Sequence, residues 1–186
     1  MAEALIFLAE GYEECEMLIV VDMLRRAKID IDMVSITDKK EVTSSHNVTI
    51  KADKTFNEAD FSGANALILP GGMPGTLNLK ACEALRNEIV KANDEGKVLA
   101  AICAAPTVYS SMGLLKDKEA TCYPSMADEL KEGANYIEKS VVHTDNFITS
   151  RGMGTTIDFA GEIIATLRDK ETADSIKKAI VYLGGE

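Results

Sequence analysis

Short, continuously apolar runs alternate along the chain with longer segments whose apolar residues recur at helical spacing. Ala4–Ala9 is an apolar run closed by Glu10-Gly11, which predicts a buried strand entering a turn. From Glu13 to Ala27, residues Ile19, Val20, Met23, Leu24 and Ala27 form one stripe at roughly 100° per residue, which predicts an amphipathic helix. Ile29–Ile36 predicts a second strand, Val48–Ala52 a shorter one, and Ala66–Leu69 a strand that stops at Pro70-Gly71-Gly72. A long helix is expected over Cys82–Glu95, closed by Gly96. Next come a strand over Lys97–Ile102 and a helix over Ala104–Met112, with Pro106 in its first turn where a missing N–H costs nothing. Beyond Gly113 the pattern gives a short helix around Met126–Lys131 and a hairpin of Ser140–His143 with Phe147–Ser150. Two helices close the chain, Thr155–Leu167, capped by Thr155 or Thr156, and Lys170–Leu183.

Strands alternating with helices imply an α/β fold, a mostly parallel sheet with helices on both faces. Ligands bind such sheets outside the carboxyl ends of the strands. Three features should therefore meet in one crevice: the Glu-rich turn after the first strand, Pro70-Gly71-Gly72, and Cys103. The 186 residues fit a single domain, 1–186, on a prior of ~150 residues per domain.

Composition narrows the function. At 46% hydrophobic and 27% charged, with four Pro, the chain is an ordinary globular one. Twenty Lys and Arg against 30 Asp and Glu give a net charge of −10, which repels polyanions, so neither nucleic acid nor an anionic membrane surface is an expected partner. The longest apolar stretches fall short of the ~20 residues of a bilayer span, and Met1-Ala2-Glu3 lacks a basic leader, so the expected compartment is the cytoplasm. Cys15, Cys82, Cys103 and Cys122 include no C-x-x-C pair and are too sparse for a disulfide framework. His46 and His143 lie beside no Cys or carboxylate at metal-ligand spacing, so a zinc site would need scattered ligands, and both read as structural.

Cys103 differs from the other cysteines because it ends a buried strand and leads into a helix. There the free N–H groups and the positive dipole end would favour thiolate. A small buried hydrophobe is the competing reading. The surrounding Ala100, Ala101, Ala104 and Ala105 suit a tight strand-to-helix elbow of the kind that presents hydrolase nucleophiles. Gly71-Gly72 is either an ordinary turn or, with the amide of Ala104, an oxyanion site facing Cys103. Helical phase separates the acidic cluster: Glu16 lies inside the apolar stripe and Glu14 about 160° from it. A desolvated Glu16 should have a raised pKa, suited to acid/base work or to a hydrogen bond with the sulfur, whereas Glu13 and Glu14 need only compensate the helix dipole. Leu18 and Val21 fall on the opposite face, to be covered by a partner subunit or by another element of the same chain. Cys15, Cys82 and Cys122 lack the elbow and read as packing residues or incidental oxidation sites.

Four segments, Gly11-Tyr12-Glu13-Glu14-Cys15-Glu16, Leu69-Pro70-Gly71-Gly72, Ala100-Ala101-Ile102-Cys103-Ala104-Ala105-Pro106 and Thr149-Ser150-Arg151-Gly152-Met153-Gly154-Thr155, resemble the ThiJ/PfpI superfamily in order and spacing, most of all its parkinsonism-associated deglycase branch. That resemblance runs from Ala4 to Leu183 and implies a flavodoxin-like sandwich, usually a homodimer. It implies Cys103 as nucleophile, Glu16 as the acid bonded to it, the amides of Gly72 and Ala104 as oxyanion site, and Arg151 near the dimer interface and site rim. The implied activities are cofactor-free conversion of methylglyoxal to lactate (glyoxalase III), repair of early glyoxal adducts on proteins, and peroxide sensing by oxidation of the Cys. The partners would then be a small aldehyde or a glycated protein, with no metal or nucleotide. The chain departs from the pattern at Tyr123, where some members of the branch carry a His, so a proton transfer assigned to that His does not carry over. Ala104 stands where the intracellular-protease branch has a His, which disfavours a Cys-His proteolytic dyad.

Overall fold

The computed structural model describes residues 2–184. The strands are β1 (Ala4–Leu8), β2 (Ile31–Ser35), β3 (Glu41–Thr43), β4 (Thr49–Lys51), β5 (Lys54–Thr55), β6 (Ala66–Leu69), β7 (Val98–Ile102), β8 (Glu119–Ala120), β9 (Asn135–Tyr136), β10 (Val141–Thr144) and β11 (Phe147–Ser150). The helices are α1 (Glu14–Arg26), α2 (Gly75–Ala81), α3 (Glu83–Asp94), α4 (Pro106–Ser111), α5 (Ala127–Lys131), α6 (Thr156–Leu167) and α7 (Lys170–Ala179). Seven strands form the central sheet in the order β10-β11-β7-β6-β1-β2-β5. Every pair in it is parallel except β10 with β11, the predicted hairpin.

Both faces of this sheet are buried, which is why its strands read as unbroken apolar runs. Successive side chains of β1 serve opposite cores: Ala4, Ile6 and Leu8 pack with α1 and α6 residues such as Leu24 and Ile163, while Leu5 and Phe7 pack with Leu85 and Ile89 of α3. β7 divides in the same way, Ala100 and Ile102 to one side and Leu99 and Ala101 to the other. Because β1, β6, β7 and β11 run in one direction, their carboxyl ends share an edge, and the loops leaving them converge there. Strand order reverses at β1, with β2 on one side and β6 on the other, so a crevice opens between β1 and β6.

Several expectations need correction. The Cys82–Glu95 helix is preceded by α2, and the two helices break at Cys82, whose extended backbone (φ −75°, ψ 97°) belongs to neither. Val48–Ala52 contributes β4, which pairs only with β3 in a separate hairpin and not with the main sheet. Helix α4 begins at Pro106 and not at Ala104, because the chain turns through Ala104 and Ala105 first. The last helix stops at Ala179, short of Leu183. Thr155 occupies the cap position of α6 without a side-chain capping bond; its hydroxyl bonds instead with Ser150 Oγ (2.7 Å) and the Gly152 carbonyl (2.9 Å). Val21 is buried, at 5% exposed, in the core cluster that holds Val42 and Ala52, whereas Leu18 stays 46% exposed. Among the described residues no helix is long and apolar enough to cross a membrane.

Ile68 lies fully buried in the middle of the sheet. Ile68→Ala should lower unfolding free energy by about 2–5 kcal/mol in urea denaturation, with the slope against denaturant unchanged.

Candidate active site

Cys103 sits at the carboxyl end of β7 with φ +64°, a left-handed conformation that costs a non-glycine residue on the order of 1–2 kcal/mol. Its backbone is tied down on both sides: its N–H donates to the Ser150 carbonyl (3.0 Å), and its carbonyl accepts from the Tyr123 N–H (2.8 Å). The small side chains Ala100, Ala101, Ala104 and Ala105 make this elbow sterically feasible, as the sequence suggested. The expected helix-end stabilisation of thiolate needs revision. Helix α4 starts three residues later and has only six residues, so what faces the sulfur is a pair of single amides, those of Gly72 and Ala104.

Glu16 lies in the first turn of α1, on its core-facing side, and is 1% exposed. Its Oε2 accepts from the Gly71 N–H at 2.8 Å, and its carboxyl group hydrogen-bonds with the Cys103 thiol. Glu13 caps the same helix, accepting from the Glu16 N–H at 2.6 Å, which fixes the backbone carrying the buried carboxyl. Sequence phase gave Glu13 only a dipole role; the signal for more was its place one residue before the helix.

Burial pushes Glu16 up to about 7, against the Gly71 N–H, which favours the carboxylate; the Glu13 charge adds to the rise. The thiol is raised as well, first by burial, then by the charge and hydrogen bond of Glu16, while the Gly72 and Ala104 amides oppose the shift. Each rise expresses the same fact: two acids in one desolvated space disfavour a second negative charge. The two groups titrate as a coupled pair, each opposing ionisation of the other.

Gly71 makes this approach possible. A Cβ there would lie 2.5 Å from Cys103 Cβ, 2.8 Å from Glu16 Oε2 and 3.0 Å from the sulfur. Gly72 has φ +91°, and a Cβ on it would fall 2.5 Å from the Glu13 nitrogen. Cys103, Glu16, Gly71, Gly72 and Ala104 are thus brought together, drawn from the ends of β6 and β7 and the start of α1. Tyr123 stands at the rim, its ring against Gly152, and a Gly152 Cβ would also lie 3.9 Å from Glu16 Oε1. Gly152 is a wall of the site that the residue reading did not single out. Arg151 directs its guanidinium to Glu138 (2.7 Å).

Burial raises the thiol of Cys122 to about 11, and that of Cys15 with a further push from the Glu13, Glu14 and Glu16 carboxylates. His143 pairs with Glu162 (2.7 Å) and His46 with Glu14 (3.1 Å). Glu13, Glu14 and His46 each offer one ligand atom within 4.8 Å of the others, a grouping hidden from spacing rules because the loop carrying His46 folds back onto the start of α1.

Residues 2–166 match the family model described as DJ-1/PfpI family. Protein DJ-1alpha of Drosophila melanogaster is 40% identical over 181 residues, covering 96% of this chain and 83% of that protein. The glutathione-independent glyoxalase DJR-1.2 of Caenorhabditis elegans is 30% identical over 172 residues, covering 92% of this chain and 91% of its own. The crystal structure of Drosophila melanogaster DJ-1beta superposes with a TM-score of 0.93 at 34% identity, covering 97% of this chain and 98% of that one. The flavodoxin-like sandwich implied by the motifs is the fold observed, and with the match running along nearly all of the sequence, the chain belongs to the DJ-1/PfpI family.

Proposed function

We propose that the protein is a cofactor-independent cysteine enzyme that converts 2-oxoaldehydes, free or as early adducts on proteins, to 2-hydroxy acids, with methylglyoxal to lactate as the simplest case. The observation carrying this reading is the buried Cys103–Glu16 pair with the Gly72 and Ala104 amides turned to the sulfur. The relative named as a glutathione-independent glyoxalase supports it.

The thiolate adds to the aldehyde carbon, forming the C–S bond and moving the carbonyl electron pair to oxygen, where the two amides stabilise the charge. Glu16 gives its proton to that oxygen and becomes a carboxylate. It then removes the hydrogen on the former aldehyde carbon as a proton and returns it to the neighbouring ketone carbon, while the hydroxyl proton on the former aldehyde oxygen passes to the ketone oxygen, leaving a thioester of the 2-hydroxy acid. Water adds to the thioester, the C–S bond breaks, and Cys103 is regenerated. One carbon is oxidised and its neighbour reduced, so the net change is addition of one water, with no external oxidant. The same pair supports a second reading, a peroxide sensor or stress chaperone, because a neutral Glu16 can donate a hydrogen bond to a Cys103 sulfinate. We also assign the exposed Leu18 face, with Ile19, Met23, Ile157, Ile180 and Val181 beside it, to a homodimer contact.

Purified protein should form lactate from methylglyoxal without glutathione or metal, and Cys103→Ala should abolish it; a folded wild type that is inactive but oxidises at Cys103 would favour the sensor. In Glu16→Gln, alkylation rate against pH should show one simple thiol step, lower than the upper of the two coupled steps in wild type, because the carboxylate opposing the thiolate is gone. Glu14→Gln should retain the coupled titration, and equal behaviour of the two variants would refute the pairing. Leu18→Glu should convert a dimer to a monomer in light scattering coupled to size-exclusion chromatography.

A further inference from the structure

Tyr123 is tethered to the reactive elbow, since its N–H donates to the Cys103 carbonyl at 2.8 Å, yet it is 49% exposed. Beside it Gly152 has extended backbone (φ 161°, ψ −170°) that any residue can adopt, so its conformation does not demand glycine. The effect of glycine there is steric. A Cβ would lie 3.4 Å from Tyr123 Cδ2 and 3.9 Å from Glu16 Oε1, so the missing side chain leaves a slot between the aromatic ring and the buried carboxyl. Met73 and Met153, next in the chain to Gly72 and Gly152, are 44% and 57% exposed. Three loops meeting around Cys103 therefore each present a large apolar residue to water, which marks a surface that buries something apolar. The charges point the same way. Arg151 is paired with Glu138 at 2.7 Å, and an anionic group entering the slot would meet the Glu16 carboxyl.

We propose that the slot between Tyr123 and Gly152 is a specificity determinant: it receives the substituent on the ketone carbon of the 2-oxoaldehyde and selects neutral apolar groups, aromatic ones above all. An aryl group there can pack against the Tyr123 ring while its aldehyde carbon reaches the sulfur. The inference rests on the aldehyde activity proposed above.

The test compares kcat/KM for phenylglyoxal and methylglyoxal, read as their ratio so that intrinsic reactivity cancels between variants. Tyr123→Ala should lower the phenylglyoxal-to-methylglyoxal ratio about tenfold, mostly through KM, and Tyr123→Phe should preserve it. Gly152→Val, which fills the slot without straining the backbone, should lower the ratio similarly. A ratio unmoved in Tyr123→Ala and Gly152→Val, or equal losses on both aldehydes, would overturn the proposal while leaving the activity intact. Absence of Cys103-dependent turnover of both aldehydes by the wild type would instead refute the activity, and the slot assignment with it.

Discussion

Glu16 and Cys103 occupy one desolvated space, and only one of them can carry a negative charge there at modest cost. The surrounding structure satisfies that constraint. Glu13 fixes the backbone of Glu16, the Gly71 N–H holds one carboxyl oxygen, and the left-handed elbow delivers the sulfur against it. Gly71 cannot bear a side chain because the sulfur and the carboxyl fill the space that it would need. Elbow strain is sustained because the Cys103 N–H is held by the Ser150 carbonyl and the Cys103 carbonyl by the Tyr123 N–H.

The central strands were legible because both faces of a parallel sheet are buried, which writes them as short apolar runs between turn signals. Ala66–Leu69 ending at Pro70-Gly71-Gly72, and Phe147–Ser150 in its hairpin, needed no tertiary information. Elements that depend on partners were harder. Strands β8 and β9 are two residues each and exist only by pairing with each other, and α2 carries no wide apolar stripe. Val21 was legible only as an apolar residue needing cover; the structure supplies that cover from the same chain, in a cluster that also contains the hairpin residue Val42.

Within the site, Glu16 was legible from phase alone, since a carboxylate inside an apolar stripe must be buried somewhere. Cys103 was legible as an elbow but not in its electrostatics. Sequence places a helix end near the sulfur, while the turn through Ala104 and Ala105 puts individual amides there and sets the neighbouring carboxyl against the thiolate. Glu13 was read only as dipole compensation and Gly152 was given no role, because a cap and an open slot are defined by what lies opposite them in space.

The edge on which the site is built makes the site dependent on distant strand pairings. Its parts hang from β1, β6, β7 and β11, and the sequence intervals between those strands make it an assembly of distant contacts. Closing such loops costs entropy before any contact rewards it, so the bond from the Cys103 N–H to the Ser150 carbonyl depends on the pairing of β7 with β11. Without those pairings Cys103 is an ordinary thiol, so its coupling to Glu16 and its raised titration belong to the folded sheet alone. The titration of Cys103 would therefore report whether the sheet edge beneath it is intact.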